Sequence, residues 1–415
     1  MKKFIICLLL SLITIISSAS EPLKIGIISD THFLSEQLMD DGYAVDNYIE
    51  SSARDIKNVP YILDSVLSDY AKNDIQVLLV SGDITKDGEK QSHIDFVKKL
   101  RPLQDKGVKV FVIPGNHDIG TKAKRYAGNK VFETESTTPE DFTAIYADCG
   151  YNNALKKDTA SLSYLAPLND NTWLLAIDIA RGKYRKNGLS SEMISSQTEA
   201  WIVDILKEAG EKQIQVIGMM HWGLVEHLPY QNQFFPRYLI YNNEYLARLF
   251  ADNGMKVIFT GHFHSNDISS SSSYAGNTIY DVETGPLCSY PFVYRFATLT
   301  DEGIDISTKK ITALPQVPLL AEQNKALLRQ LTRKTALQKL SAEFNFIQNK
   351  SANQKLAEII TDIFILHVAG DEKIDKDLTE KMEQFSEMLG LAIYDDIFAL
   401  DIETYPPDNN FFIKF

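Results

Sequence analysis

Six apolar runs punctuate the first two-thirds of the chain: Leu23–Ser29, Gln76–Ser81, Val108–Pro114, Thr172–Ile177, Gln213–Met220 and Lys256–Thr260. They are mostly continuous rather than alternating, as expected of strands covered on both faces. Helical patterns lie between them. Tyr61–Lys72 precedes the second run, His93–Lys106 the third and Ser191–Ala209 the fifth. Strands alternating with helices predict an α/β core, where ligands bind beyond the carboxyl ends of the strands. After Asn277 the texture changes. Thr278–Glu283, Tyr294–Thr300 and Gly303–Thr308 read as antiparallel strands, with Asp301-Glu302-Gly303 as a hairpin turn. The run Ser269–Ser273 reads as a loop, and Leu314-Pro315-Gln316-Val317-Pro318 as a linker. Leu319–Leu340, Asn353–Ala369 and Leu378–Leu391 read as amphipathic helices that bury an apolar stripe.

Composition adds a boundary at the N-terminus. Lys2 and Lys3 precede an apolar stretch, Phe4–Ile16, and the small residues Ser17-Ser18-Ala19-Ser20. This is the pattern of a secretory signal peptide, and the apolar stretch falls short of the roughly 20 residues that span a bilayer. The chain is therefore expected to be exported, to the periplasm or outside the cell, with no membrane span once residues 1–20 are removed. Its two lysines leave with it, taking the net charge from −13 to −15. So acidic a surface speaks against broad nucleic-acid binding, which relies on Lys and Arg to neutralise phosphates. Cys149 and Cys288 remain, outside any CxxC pattern, and read as two buried thiols.

Five of the eight histidines fall in short motifs, each at the end of an apolar run: Asp30-Thr31-His32, Gly82-Asp83, Gly115-Asn116-His117-Asp118, His221 and Gly261-His262-Phe263-His264. On extended backbone, Asp30 and His32 share a face, as do His262 and His264. Asp83 offers two oxygens that can bridge two ions, Asn116 an amide oxygen and His221 an imidazole. The expected outcome is one cluster at one edge of one sheet, of the kind two adjacent hydrolytic metal ions require. The donors are nitrogen and oxygen only, which suits Mn, Fe or Zn.

The order DxH, GD, GNHD, H, GHxH resembles the calcineurin-like metallophosphoesterase family, over roughly Lys24 to Arg295. The resemblance implies a layered β-sandwich flanked by helices, at residues 21–312, followed by a helical C-terminal region at 319–415. It implies a first metal held by Asp30, His32, Asp83 and His264. A second would be held by Asp83, Asn116, His221 and His262, with Asp83 shared. It further implies hydrolysis of small phosphate esters by a hydroxide formed between the ions. His117 would stabilise the transition state or protonate the leaving oxygen, and Asp118 would orient it. Bound metal would offset the acidic surface for a phosphate substrate. Lys86 stands where purple acid phosphatases carry a tyrosine, so a tyrosinate-bound ferric ion is not expected. The stretch Gly82–Gly88 together with Gly115–Asp118 looks most like the cyclic-nucleotide phosphodiesterase branch. Trp222, however, replaces the second histidine that this branch often has after the fourth motif.

A phosphodiester substrate is the reading taken. A phosphomonoesterase or nucleotidase, a sphingomyelinase-like enzyme, a nuclease and a non-catalytic binding protein on the same fold are the rivals. Elsewhere, His93 reads as a histidine that opens a helix and carries no function, His367 as a packed histidine and Asp178 as a turn residue or a supporting carboxylate. His227 reads as structural or poised over the site, and Trp222 and Tyr230 as packing residues or a substrate wall.

Overall fold

The computed structural model describes residues 21–179, 192–343, 350–389 and 405–415. The expected signal peptide, and the parts of the C-terminal region at 344–349 and 390–404, lie outside these residues. Along the chain come β1 (Leu23–Ile28), α1 (Tyr43–Ser52), α2 (Val59–Lys72), β2 (Val77–Val80), α3 (Lys90–Gln104) and β3 (Lys109–Val112). A hairpin of β4 (Lys124–Ala127) and β5 (Lys130–Glu133) follows, then α4 (Pro139–Ile145), β6 (Lys156–Lys157), β7 (Tyr164–Pro167) and β8 (Thr172–Ile177). Next are α5 (Ser196–Lys212), β9 (Gln215–Met220), the short α6 (Gln231–Phe234), α7 (Asn243–Asp252) and β10 (Val257–Thr260). Four strands, β11 (Asp267–Ser272), β12 (Thr278–Glu283), β13 (Val293–Thr300) and β14 (Gly303–Lys310), lead to α8 (Leu320–Glu343), α9 (Lys350–His367), α10 (Lys376–Leu389) and β15 (Asn410–Lys414).

The strands form two sheets. One has the order β15-β14-β13-β1-β2-β3, the other β11-β12-β10-β9-β8-β7-β6. The inner faces meet in one core. Ile25, Ile27, Val77, Leu79 and Phe111 come from the first sheet, and Leu174, Ile217, Met219, Val257 and Phe259 from the second. Burying each such side chain contributes about 1.5–3 kcal/mol. The far face of the second sheet is covered by α5 and α7, through Ile202, Ile205, Leu206, Leu246 and Phe250. On the first sheet, α2 packs across β1 and β13, where the Tyr70 hydroxyl donates to the carbonyls of Ile27 (2.9 Å) and Arg295 (3.0 Å). The molecule is thus an α/β sandwich of the expected layered kind.

Several elements depart from expectation. The serine run is not a loop: Asp267–Ser272 pairs antiparallel with β12, from Asp267 opposite Glu283 to Ser272 opposite Thr278. An edge strand needs one hydrogen-bonded partner only, so poor strand formers are tolerated there. β12 is antiparallel to β11 but parallel to β10. The C-terminal region is not purely helical, because β15 pairs antiparallel with β14 and completes the first sheet. The helices α8–α10 have a core of their own, including Leu340, Leu356, Ile359 and Phe385. They are tied to the sandwich at specific points. Asn324 of α8 donates to the Ala53 carbonyl (2.9 Å) and accepts from Tyr290 N (2.7 Å). The His367 ring of α9 meets Phe263, between the two histidines of the last motif, at 5.9 Å.

Candidate metal centre

The five motifs converge, but not on one sheet. Asp30, Asp83 and Asn116 follow β1, β2 and β3 of the first sheet, and His221 and His262 follow β9 and β10 of the second. The site spans the carboxyl edge of the whole sandwich, where strand ends of both layers come together. Nor do paired residues meet by strand alternation. Asp30 (φ 50°), His32 (φ 40°), Asp83 (φ 44°), His262 (φ 78°) and His264 (φ 66°) all sit in the left-handed region. Such backbone costs about 1–3 kcal/mol per residue and is found where surrounding structure enforces it. Turns, not extended strands, aim these side chains.

Close approach enforces it here. A Cβ on Gly115 would lie 2.3 Å from both the Asp83 N and Oδ1, and one on Gly261 would lie 2.0 Å from Ser29 Oγ. The Asp30 carboxylate is held on one oxygen, Oδ2, by Ser29 Oγ (2.6 Å) and His262 N (3.0 Å). Its other oxygen accepts no hydrogen bond and faces His264 Nε2 at 3.1 Å and His32 Nε2 at 3.8 Å. Asp83 Oδ2 lies 3.6 Å from His32 Nε2 and 3.3 Å from His221 Nε2. Asn116 Oδ1 is 3.2 Å from the same His221 nitrogen. His221 Nδ1 meets the Ser81 carbonyl (2.8 Å) and His262 Nε2 the Arg237 carbonyl (3.1 Å). The far nitrogen of each ring is thus fixed by a backbone acceptor, which sets the tautomer and turns the other nitrogen to the centre.

Electrostatics fit a cation. Burial disfavours the Asp83 charge, yet His221, His117 and His32 hold its pKa well below the usual range. Burial and the Arg54 charge push His32 well down. For His262, burial and the charge of His221 lower the pKa to about 3. Burial also lowers His221, but Asp83 more than reverses this and raises it to about 9. Three groupings, Asp30 with His32 and His264, His32 with Asp83 and His117, and Asp83 with His221 and His262, place their ligand atoms within 4.8 Å of one another.

The catalytic assignment is refined by its partners. His117 Nδ1 lies 2.7 Å from the Lys86 carbonyl and 3.2 Å from Asp87 Oδ1, and His117 N donates to Asp83 Oδ1 at 2.7 Å. Burial lowers its pKa, but Asp83 and Asp87 raise it overall. Asp118 does not touch the ring. Its oxygens accept from Ile84 N (3.1 Å), Thr85 N (2.8 Å) and Gly115 N (2.8 Å), so it stitches the second and third motif loops together. A residue adjacent in sequence points away because Asn116–Asp118 form a turn, and Asp87 from another loop takes the supporting place. Asp87 pairs with Lys86 and with Lys124 at 3.3 Å. The motif reading missed Asp87. The signal lay in the same GDITKDG stretch, two residues after Thr85.

Glu89 backs this arrangement. It is fully buried, accepts from Asp87 N (3.0 Å), and burial raises its pKa to about 7. A carboxyl whose folded pKa exceeds its unfolded value near 4.5 gives stability that is complete below that value and is lost as pH rises through about 7. Glu89→Gln keeps the acceptor without the charge. Its unfolding free energy should therefore gain on the wild type between pH 5 and pH 8, by up to about 3 kcal/mol. Denaturant melts at both pH values check this, and parallel pH curves would rule it out.

The remaining residues sort as follows. His93 is buried between Thr85, Tyr146 and Asp118. His367 pairs with Glu372 at 2.8 Å. His227 is buried within 2.5 Å of Asp267, 3.2 Å of Asp281 and 3.6 Å of Glu283, so it belongs to the scaffold rather than hanging over the centre. Asp178 accepts from Leu162 N (3.0 Å). Trp222 is buried with its ring against His221 and His262. Tyr230 is exposed, but Tyr238 is the aromatic that sits over His262, at 4.9 Å and 36% exposed. Cys149 and Cys288 are both free and buried.

Carboxylates, an amide and imidazoles converging where strands end define a metal-dependent hydrolase. The calcineurin-like phosphoesterase family model matches residues 23–266. The chain belongs to that family and is a metal-dependent hydrolase of phosphoric esters. Among solved structures, a dimetal phosphatase from Danio rerio is similar in fold, with a TM-score of 0.50 and 13% identity over 70% of this chain and 97% of its own. A purple acid phosphatase from yellow lupin, Lupinus luteus, is also 13% identical, with a TM-score of 0.42 over 70% of this chain and 52% of its own. A search of curated proteins gave no match. The fold implies divalent metal ions, and the unpaired Asp30 oxygen and the nitrogen and oxygen donor set fit them.

Proposed function

We propose that this chain is an exported phosphodiesterase using two metal ions, Mn, Fe or Zn. Asp30, His32, Asp83 and His264 hold one ion, and Asp83, Asn116, His221 and His262 hold the other. The observation that carries this reading is the Asp83 carboxylate, placed between His32 (3.6 Å) and His221 (3.3 Å) so that both donor groups share it. When bound, such ions polarise phosphoryl oxygens and lower the pKa of water. His117 supplies the acid. Its Nδ1–H donates to the Lys86 carbonyl, and the carboxylates of Asp83 and Asp87 favour the imidazolium. Nε2–H is then free to protonate the departing ester oxygen. The part-exposed Tyr238 ring beside His262 offers a flat surface to an organic group of the ester. The diester preference rests on the likeness of Gly82–Gly88 with Gly115–Asp118 to the cyclic-nucleotide branch.

Residues 21–312 carry the chemistry in this reading, and 319–415 brace it. Export rests on the pattern of residues 1–20. Among the described residues no helix is long and apolar enough to cross a membrane. The deciding experiment loads the mature protein with Mn, Fe or Zn and compares p-nitrophenyl phosphate, its bis-ester, cyclic nucleotides and nucleoside phosphates. The diesters should give the higher kcat/KM. Preference for the monoester would overturn the diester assignment.

A further inference from the structure

We propose that Arg54 is the docking point for a phosphoryl oxygen of the substrate, a role that rests on the phosphoesterase reading above. The residue stands outside all five motifs, yet the backbone around it is fixed to them. α1 ends at Ala53 in the left-handed conformation (φ 58°), which turns the chain back. Ala53 O accepts from Asn324, and Asp55 N donates to the Cys288 carbonyl at 2.7 Å. The neighbouring Leu287 N in turn donates to the carbonyl of Ser29, the residue before Asp30 (3.2 Å). Arg54 is thereby clamped next to the first motif, in a segment bound on both sides.

Its side chain is placed as well. The Arg54 charge lies close enough to the Tyr48 hydroxyl to act on it. The Tyr48 ring is itself covered by Lys86 Nζ at 4.3 Å, and the Lys86 carbonyl is the acceptor for His117. The charge lies close enough to Asp83, His32 and His117 to act on all three. Arg54 is half-buried, so solvent reaches it. Among the described residues no carboxylate lies within ion-pairing distance of it, whereas Lys86 and Lys124 beside the site both pair with Asp87. A guanidinium with no carboxylate ion pair among the described residues, beside a hydrolytic centre in a chain of net charge −13, has an anion as its natural partner. Its planar donor fork matches phosphate oxygens.

The test uses the metal-loaded protein and inorganic phosphate as probe. Calorimetry should show Arg54→Met binding phosphate roughly ten- to a hundredfold more weakly, the range for a charged hydrogen bond. KM for the preferred p-nitrophenyl ester should rise in step, with metal content unchanged. Arg54→Lys should recover part of the loss. Phosphate binding within twofold of wild type in Arg54→Met, with metal retained, overturns the proposal. Should that variant fail to fold, Arg54→Gln serves instead. It keeps a planar polar side chain without the charge, and unchanged phosphate affinity there overturns the proposal equally. Phosphate binding that depends on Arg54 in a protein that hydrolyses no ester would fault the esterase reading and leave this one standing.

Discussion

Asp83→Asn should lower kcat/KM by about 10³-fold or more and strip metal from the protein. The substitution is nearly isosteric, and its side-chain oxygen can still accept from His117 N, now 2.7 Å from Asp83 Oδ1. What it removes is the negative charge that both His32 and His221 face. Lewis-acid stabilisation of the transition state is worth several kcal/mol, and each 1.4 kcal/mol is a factor of ten in rate. Asp30 also stands within 4 Å of imidazoles from both sheets, through His32 (3.8 Å) and His264 (3.1 Å). Elemental analysis and steady-state kinetics on the same preparation decide it. Retention of full metal content with activity within tenfold of wild type would remove Asp83 from the centre of the scheme.

His117→Asn should separate chemistry from metal binding. The expected loss in kcat is about 10²–10⁴-fold, the usual contribution of a positioned acid. Metal content should hold, because Asp30, His32, Asp83, His221, His262 and His264 are untouched. The support for His117 runs through Asp87 and the Lys86 carbonyl rather than Asp118, and this gives the prediction a second arm. Asp87→Asn should lower kcat and shift its pH profile while the protein stays folded. Asp118→Asn weakens the contacts to Ile84, Thr85 and Gly115, so it should lower thermal stability first. A His117→Asn protein that loses its metal would make His117 a ligand instead of an acid.

The strands that carry the site were legible because buried strands are runs of apolar residues with little ambiguity. Thr172–Ile177 and Thr278–Glu283 match their strands residue for residue. The donors were legible because histidine and aspartate after a strand have few other reasons to recur in order. What periodicity could not give was the partition between layers. Adjacent strand ends look alike in sequence whether they share a sheet or face one another across a core. The run Ser269–Ser273 hid most of an edge strand, Asp267–Ser272, because pairing with β12, not side-chain preference, holds it. β15 hid because Phe411 and Ile413 find their burial only against a strand about a hundred residues away. Asp87 and Arg54 hid for a related reason: their roles come from loops that meet in space, and neither carries a spacing that marks it.

The left-handed turns at Asp30, His32, Asp83, His262 and His264 bear on which letters the motifs can use. Aspartate, asparagine and histidine tolerate that conformation better than other side chains, while β-branched residues are outliers there. In the proposed scheme each position is therefore selected twice, once by coordination and once by torsion. A glutamate or glutamine that could reach the same point by a longer arm pays at the backbone. The alphabet of the centre is narrower than donor chemistry alone requires, which is why so short a set of motifs can identify so large a fold.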